Sequence, residues 1–397
     1  LDQLDTHLLA LGDGEAPSEE SNEGKEGKEE PGRKGVFDYV ITWVNESSPA
    51  WRSKMVETFG DQADLDNTGG DGGAGSNVNL YQDLMFSIRS AQASGLLARV
   101  RRIHLVISDL HDPPHWLNVS HPRVQLVRHS QLFAACGPER CPQDVLPTFN
   151  SMAIQSMLHL IPGLSPWYVV AEDDYFYYHP FDMGQLFFDR TLHRPVVGRG
   201  KSEAGASNRN LSKDTAGPIV VRLGYPVRNY AGNGPWEQTS KKTASLLSAR
   251  FTDEAQRPAD GWHGEIHSPF LANKCLMKFI DADRQFAPAL FECRRHRERM
   301  ATDVSMMMLY GSYVSAQGYG VDSRRGISGD DRYLLEFHGH QTTTAKMRQV
   351  MSRARTEMPF VLNVQNFPGA FEAYVAFMQE LHVDFPLPSF AENRQNI

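Results

Sequence analysis

The stretch Leu146 to Asp182 constrains this chain most. It carries an amphipathic segment, a Pro162-Gly163 turn, the apolar run Trp167 to Ala171, and then Glu172, Asp173 and Asp174 in succession. An apolar run of that length between turn signals reads as a strand buried in a sheet. Carboxylates at its mouth are costly to bury unless a cation or a set of donors compensates them. Two readings follow: a metal- or phosphate-handling site, or a strand end whose acids face water.

Other apolar runs repeat the strand pattern. Val36 to Val44, Arg102 to Ser108 and Arg123 to Arg128 read as buried strands, with turn residues following Val44. Helices are expected at Ala50 to Phe59, Leu80 to Leu97 and Ser151 to Leu160. The alternation predicts an α/β fold around a largely parallel sheet. Ligands then sit beyond the carboxyl ends of the strands, which gathers Thr42 to Asn45, Ser108-Asp109 and Glu172 to Asp174. Residues 185–265 are rich in Gly, Asn and Pro and read as an irregular substrate-covering region. Helices are expected at Ser240 to Phe251, from His267 with Pro269 just inside its start, at Arg299 to Tyr313, and at Phe367 to His382.

The flanks differ in composition. Residues 1–34 read as a disordered acidic tail or stalk, because the segment Glu15 to Gly35 has almost no apolar side chains. The segment Gly60 to Asn79 reads as a loop. A net charge of -8 argues against a general nucleic-acid binder. No apolar run approaches the roughly 18 residues of a membrane span. The chain starts at Leu1 rather than Met, and a membrane anchor upstream is an expectation. Cys136 and Cys141 flank a short loop suited to a disulfide. Cys275 and Cys293 are either a second pair or free buried thiols. Sequons at Asn45, Asn118 and Asn210 point weakly to a secretory route.

Several groups could carry chemistry. They are the triple acid, Asp38 with Thr42 to Asn45, His267, and the run Arg294-Arg295-His296-Arg297. A cation on carboxylates, an arginine on phosphate oxygens and a near-neutral histidine taking a hydroxyl proton make a set for phosphoryl transfer. No Walker-A, GxGxxG or G-x-S-x-G motif occurs. Each group also has a bland reading: His267 as a helix-start donor, the arginines as a solvated face, Asp38 as a cap before its strand, and Trp43 as core.

The order of these blocks resembles the Stealth family, which includes the N-acetylglucosamine-1-phosphotransferase α/β subunit and capsular polysaccharide phosphotransferases. Asp38-Tyr-Val-Ile-Thr-Trp-Val-Asn45 looks like the family's D-x-V-x-T-W-V-N block. Residues 83–118 look like the second block and Leu146 to Phe181 like the third. His267-Ser-Pro, Arg295-His296 and the ending from Phe360 to Glu392 look like the rest.

The resemblance implies one catalytic domain over residues 35–392, Rossmann-like and akin to nucleotide-sugar glycosyltransferases, with a helical C-terminal part. It implies transfer of a sugar-1-phosphate from a nucleotide sugar (UDP-GlcNAc-like) to a hydroxyl of a glycan or glycoprotein acceptor, with release of a nucleoside monophosphate. It further implies a divalent cation, Mg2+ or Mn2+, on Asp173 and Asp174. The catalytic set becomes Asp38, Asp174, His267 as proton acceptor and Arg295 as phosphate clamp. Trp43, Asn45, Arg89, Asn150 and Ser151 would line the donor site. A Golgi-lumen location, a membrane anchor and a homodimer are further expectations.

The chain also departs from the family's pattern. Asp83 stands for a usual Glu, Met152 for His, Gln155 for Glu, Glu172 for Asn, Arg299 for an acid and Val364 for Asp. Two alternatives stay open: a metal-dependent glycosyltransferase attacking the anomeric carbon, and a catalytically weak carbohydrate-binding relative.

Overall fold

The first strand, β1 (Phe37–Trp43), is buried at every position but Thr42. A strand with no polar face belongs at the centre of a sheet covered on both sides. The structure is a computed structural model, and it describes residues 37–60, 81–181, 219–221, 223–232, 234–322, 334–338, 343–359, 361–365 and 371–393. The acidic tail, the loop after Gly60 and the first part of the 185–265 region lie outside these residues.

After β1 come α1 (Pro49–Phe59), α2 (Tyr81–Ala93), β2 (Val100–Ile107), β3 (Val124–Arg128), α3 (His129–Cys136), α4 (Ser151–Gln155), β4 (Trp167–Glu172) and β5 (Tyr175–Phe176). Then follow β6 (Ile219–Val221), β7 (Leu223–Pro226), α5 (Pro235–Arg250), β8 (His263–Glu265), β9 (Phe270–Asn273), α6 (Lys274–Ala282), α7 (Ala287–Cys293) and α8 (Met306–Ala316). The chain continues through β10 (Gly320–Asp322), β11 (Leu334–His338), α9 (Thr344–Glu357), β12 (Val361–Gln365) and α10 (Phe371–Asp384). The central sheet has the order β3-β2-β1-β4-β9, parallel except for β9 at the edge. The expected α/β class with a mainly parallel sheet holds. A smaller sheet, β11-β12-β5, packs with α9 and α10 on a second apolar cluster that includes Phe86, Phe176 and Phe377.

Some elements differ from expectation for local reasons. His267 to Phe270 do not open a helix. Phe270 to Asn273 instead pair with the exposed edge of β4, and Asn273 then caps α6 by accepting from Cys275 and Leu276 N–H. The helix from Ser151 stops at Gln155. The Ser156 carbonyl is taken by the Arg294 guanidinium at 3.1 Å, which leaves it no role in a further turn. The Met-rich helix begins at Met306, capped by Ser305, because Asp303 folds the preceding segment back through the Met300 N–H. Cys136 and Cys141 form the expected disulfide, whereas Cys275 and Cys293 remain thiols.

Arg89 of α2 forks onto Glu392, with Nε–Oε1 at 2.9 Å and Nη2–Oε2 at 2.7 Å, and both side chains are buried. The pair ties the end of the chain against the sheet, helped by Asn118 N–H to the Ala391 carbonyl. Arg89→Ala would leave the Glu392 carboxylate buried and unpaired. The expected cost is about 3–5 kcal/mol, read as a lowered midpoint in urea unfolding; a midpoint equal to wild type would show that the pair holds nothing.

Candidate active site

Because β1 to β4 run parallel, their carboxyl ends share one edge. Register places Thr42 beside Glu172 and Trp43 beside Ile107, so Trp43, Asn45, Ser108 and the acids gather there. Some of these groups are committed to structure. Asp109 accepts from Ser130 N–H at 2.9 Å and so caps α3. The Asn45 N–H donates to His111 Nε2 at 3.0 Å, and His111 Nδ1 faces the Asp112 carbonyl at 3.1 Å, which fixes a neutral imidazole protonated at Nδ1. Burial pushes the His111 pKa down accordingly. The Trp43 ring meets His111 edge-on at 5.1 Å.

Asp173 and Asp174 form the turn from β4 into β5. Asn363 of β12 donates to Asp174 Oδ2 at 2.8 Å, while Asp174 Oδ1 is shielded and meets no donor among the described residues. Asp83, in the first turn of α2, accepts from the Tyr374 hydroxyl at 3.3 Å. These carboxyls resist ionisation together. Burial, with the Glu172 charge added, pushes Asp173 up to about 7. Burial and then the charges of Glu172 and Asp173 push Asp174 well above the carboxylate range. Burial and the Asp173 charge do the same to Asp83. Asp83 was not among the residues expected in the site; the sequence marked it only as the acid standing where the Stealth pattern has Glu.

Does this acid edge fit a divalent cation? The donors are all carboxylate oxygens, which suit Mg2+ or Mn2+, and Asp174 Oδ1 is an orphan acceptor. Among the described residues no group of three or more His, Cys, Asp or Glu forms a ready cage. A cation held by one or two carboxylates would take its remaining ligands from water or substrate phosphates.

Beside the acids, six side chains close a ring. Gln155 Nε2 donates to Glu172 Oε1 at 3.2 Å. Glu172 Oε2 lies 3.8 Å from His267 Nδ1. The His267 ring lies 5.5 Å from the Trp236 ring, and the Arg299 guanidinium lies 5.6 Å from that same indole. Arg299 Nη2 donates to Ser151 Oγ at 2.7 Å. Ser151 and Gln155 are one turn apart on α4 and share a face, which completes the circuit.

The remaining expected residues lie as follows. Asn150 caps α4 through Met152 and Ala153 N–H and donates to Asp303 Oδ2 at 2.8 Å; Asp303 Oδ1 in turn meets His296 Nδ1 at 2.6 Å. Arg295 is exposed, its guanidinium 5.5 Å from the Phe291 ring. Asp38 lies at the other end of β1, opposite Tyr168 while Thr42 is opposite Glu172, so about 13 Å of strand separates it from the acids. It accepts from Arg101 at 2.9 and 2.6 Å, from Ser165 N–H at 2.8 Å, and meets His104 Nε2 at 2.8 Å. Burial alone would raise the Asp38 pKa, but these hydrogen bonds outweigh it and hold it below the usual range.

Residues 78–194 match the Stealth protein CR2, conserved region 2. Exopolysaccharide phosphotransferase SCO2592 of Streptomyces coelicolor is 33% identical over 315 residues, covering 78% of this chain and 29% of that protein. Capsular polysaccharide phosphotransferase SacB of Neisseria meningitidis serogroup A is 30% identical over 156 residues, covering 39% and 25%. Exopolysaccharide phosphotransferase CpsY of Mycobacterium tuberculosis is 23% identical over 358 residues, covering 89% and 57%. The chain thus spans less than two thirds of each of these relatives. A crystal structure of the galactosyltransferase LgtC with donor and acceptor sugar analogs aligns at a TM-score of 0.39 and 11% identity, over 89% of this chain and 98% of that one, a likeness too loose to pair residues. An α/β protein with acids at the carboxyl edge of its sheet is the class the fold defines. Within that class the chain carries Stealth conserved region 2, and the resemblance to the Stealth family stands on that match.

The acids give a pH prediction. The Asp173 carboxyl holds its proton up to about 7 in the folded protein and releases it near the ordinary carboxylate value, 3.8, when unfolded. Between those values the folded state binds more protons, so its stability falls as pH rises. Without divalent cation, Tm is expected to decline from pH 4 to pH 7; added Mg2+ should flatten the decline by favouring the ionised acids. A magnesium-independent slope would contradict cation binding here.

Proposed function

We propose that this chain transfers a sugar-1-phosphate from a nucleotide sugar, UDP-GlcNAc-like, to a hydroxyl of an acceptor glycan. The observation that carries the reading is the adjacency of two chemistries: mutually repelling carboxyls at Asp173 and Asp174, and a His267–Glu172 pair beside them. The phosphotransferase names of the relatives support it. A divalent cation on Asp173 and Asp174 would supply charge neutralisation for a diphosphate.

The chain's own groups then divide the work. His267 takes the proton of the acceptor hydroxyl, and the Glu172 carboxylate at 3.8 Å stabilises the imidazolium that results. The acceptor oxygen forms a bond to the sugar-linked phosphorus, and the bond from that phosphorus to the bridging oxygen breaks. The nucleoside monophosphate leaves with the bonding pair. Gln155 holds Glu172 in place. Trp43 and Asn45 line the neighbouring strand ends, while Arg89 acts through the position of α2 that it secures. Asp38, buried in its ion pair, supports the sheet from the far end.

Product analysis tests the reading. The protein is incubated with Mg2+, a panel of nucleotide sugars and a glycan acceptor, and the product is followed by 31P NMR. A phosphodiester with release of nucleoside monophosphate is expected; a phosphorus-free glycoside would overturn the proposal. His267→Ala should cut turnover by about 10²–10⁴-fold while donor affinity by calorimetry stays within error. Asp174→Asn should cost at least ~10²-fold in turnover, with a Tm in EDTA no lower than that of wild type.

A further inference from the structure

Among the described residues, Arg299 is the arginine that carries a shielded guanidinium nitrogen meeting no acceptor. Arg294 and Arg140 meet Asp281, Arg89 meets Glu392, and Arg101 meets Asp38. Arg299 is half-buried and has no carboxylate partner among the described residues. Its Nη2 is held by Ser151 Oγ, its face lies against Trp236, and its Nε is shielded from water with no acceptor. A shielded guanidinium donor left without an acceptor costs free energy that an anion would recover. The group is also preorganised: a hydroxyl fixes one nitrogen and an indole fixes the plane, so little side-chain entropy remains to be lost on binding.

Position adds to this. The indole that carries Arg299 carries His267 as well, and Ser151 shares its helix face with Gln155, which holds Glu172. Arg299 is therefore on the ring that surrounds the proposed reaction centre. Arg295, the arginine expected from the sequence to clamp phosphate, is exposed on the Phe291 ring instead.

We propose that Arg299, steadied by Ser151 and Trp236, is the cation that binds the diphosphate of the substrate in this site. The assignment rests on the phosphoryl-transfer reading for the identity of the anion. Arg299 brings fixed positive charge to a site whose carboxyls would otherwise repel a diphosphate, and its planar fork suits paired phosphate oxygens. The arginine four residues along from Arg295 thus takes the clamping role.

Calorimetric titration with inorganic pyrophosphate in the presence of Mg2+ tests the assignment. Wild type is expected to bind saturably; Arg299→Gln should weaken binding at least ~10-fold, and Arg295→Gln by no more than ~2-fold. Arg299→Lys keeps the charge without the fork and should fall between wild type and Arg299→Gln. No pyrophosphate binding by wild type, unchanged affinity in Arg299→Gln, or a loss confined to Arg295→Gln overturns the assignment. If Arg299→Gln does not fold, Arg299→Lys decides: a weakened affinity supports the clamp and an unchanged one overturns it. The 31P assay separates the two proposals. A phosphodiester product with Arg299-independent pyrophosphate binding removes only this assignment. Arg299-dependent binding with a phosphorus-free product removes the transfer reaction and leaves the phosphate site.

Discussion

Everything near the acids depends on the parallel pairing of β1 with β4. That register brings the carboxyl ends of the two strands level, with Thr42 opposite Glu172. Both strands are almost wholly buried, so a slip of either would expose a core residue and pull Glu172 out of line with Thr42. The cost of ionising Asp173 and Asp174 is a consequence of the same burial. Apolar surface forms the edge, and the acids at its end are left needing a counter-charge.

The Asp38 cluster shows the opposite solution. Its carboxylate is as buried as any in the protein, yet Arg101, His104 and a backbone N–H supply donors, and its pKa falls. Asp174 has the Asn363 amide and one orphan oxygen, and its pKa rises. An acid on β1 and an acid in the turn after β4 are thus separated by what surrounds them. One is already satisfied by the protein, and the other is left for a ligand to satisfy.

How much of this was legible in the sequence follows from which interactions are local. The central strands were legible because burial on both faces leaves an unbroken apolar run, and Trp167 to Glu172 reads that way without help. The 136–141 disulfide was legible from a short loop. Edge strand β9 was not, because His267 to Asn273 carries a helix-start pattern that is overruled by pairing with β4. The early stop of α4 was hidden as well, since Arg294 lies far along the chain from Ser156. At the site, Asp173, Asp174, His267 and Ser151 were named from sequence and come together. Asp83 and Arg299 were noted only as departures from the Stealth pattern and Trp236 not at all, because their place depends on packing between distant elements. Gln155 and Glu172 looked like separate departures from the Stealth pattern; in space they touch, an amide on α4 against an acid at the end of β4.

The grip of Arg294 on Ser156 has a consequence in time. Arg294 is itself held by Asp281, which also receives Arg140 from the disulfide loop. The α4 segment that presents Ser151 and Gln155 therefore takes its final length only after the chain through Arg294 exists. Asp174 waits longer still, for Asn363. During synthesis the sheet strands β1 to β4 emerge first and have their apolar partners at hand, while the edge they present is finished by chain that is made much later. The order in which the protein is made thus runs from scaffold to chemistry, and a nascent chain ending short of residue 363 has the sheet without the completed acid edge.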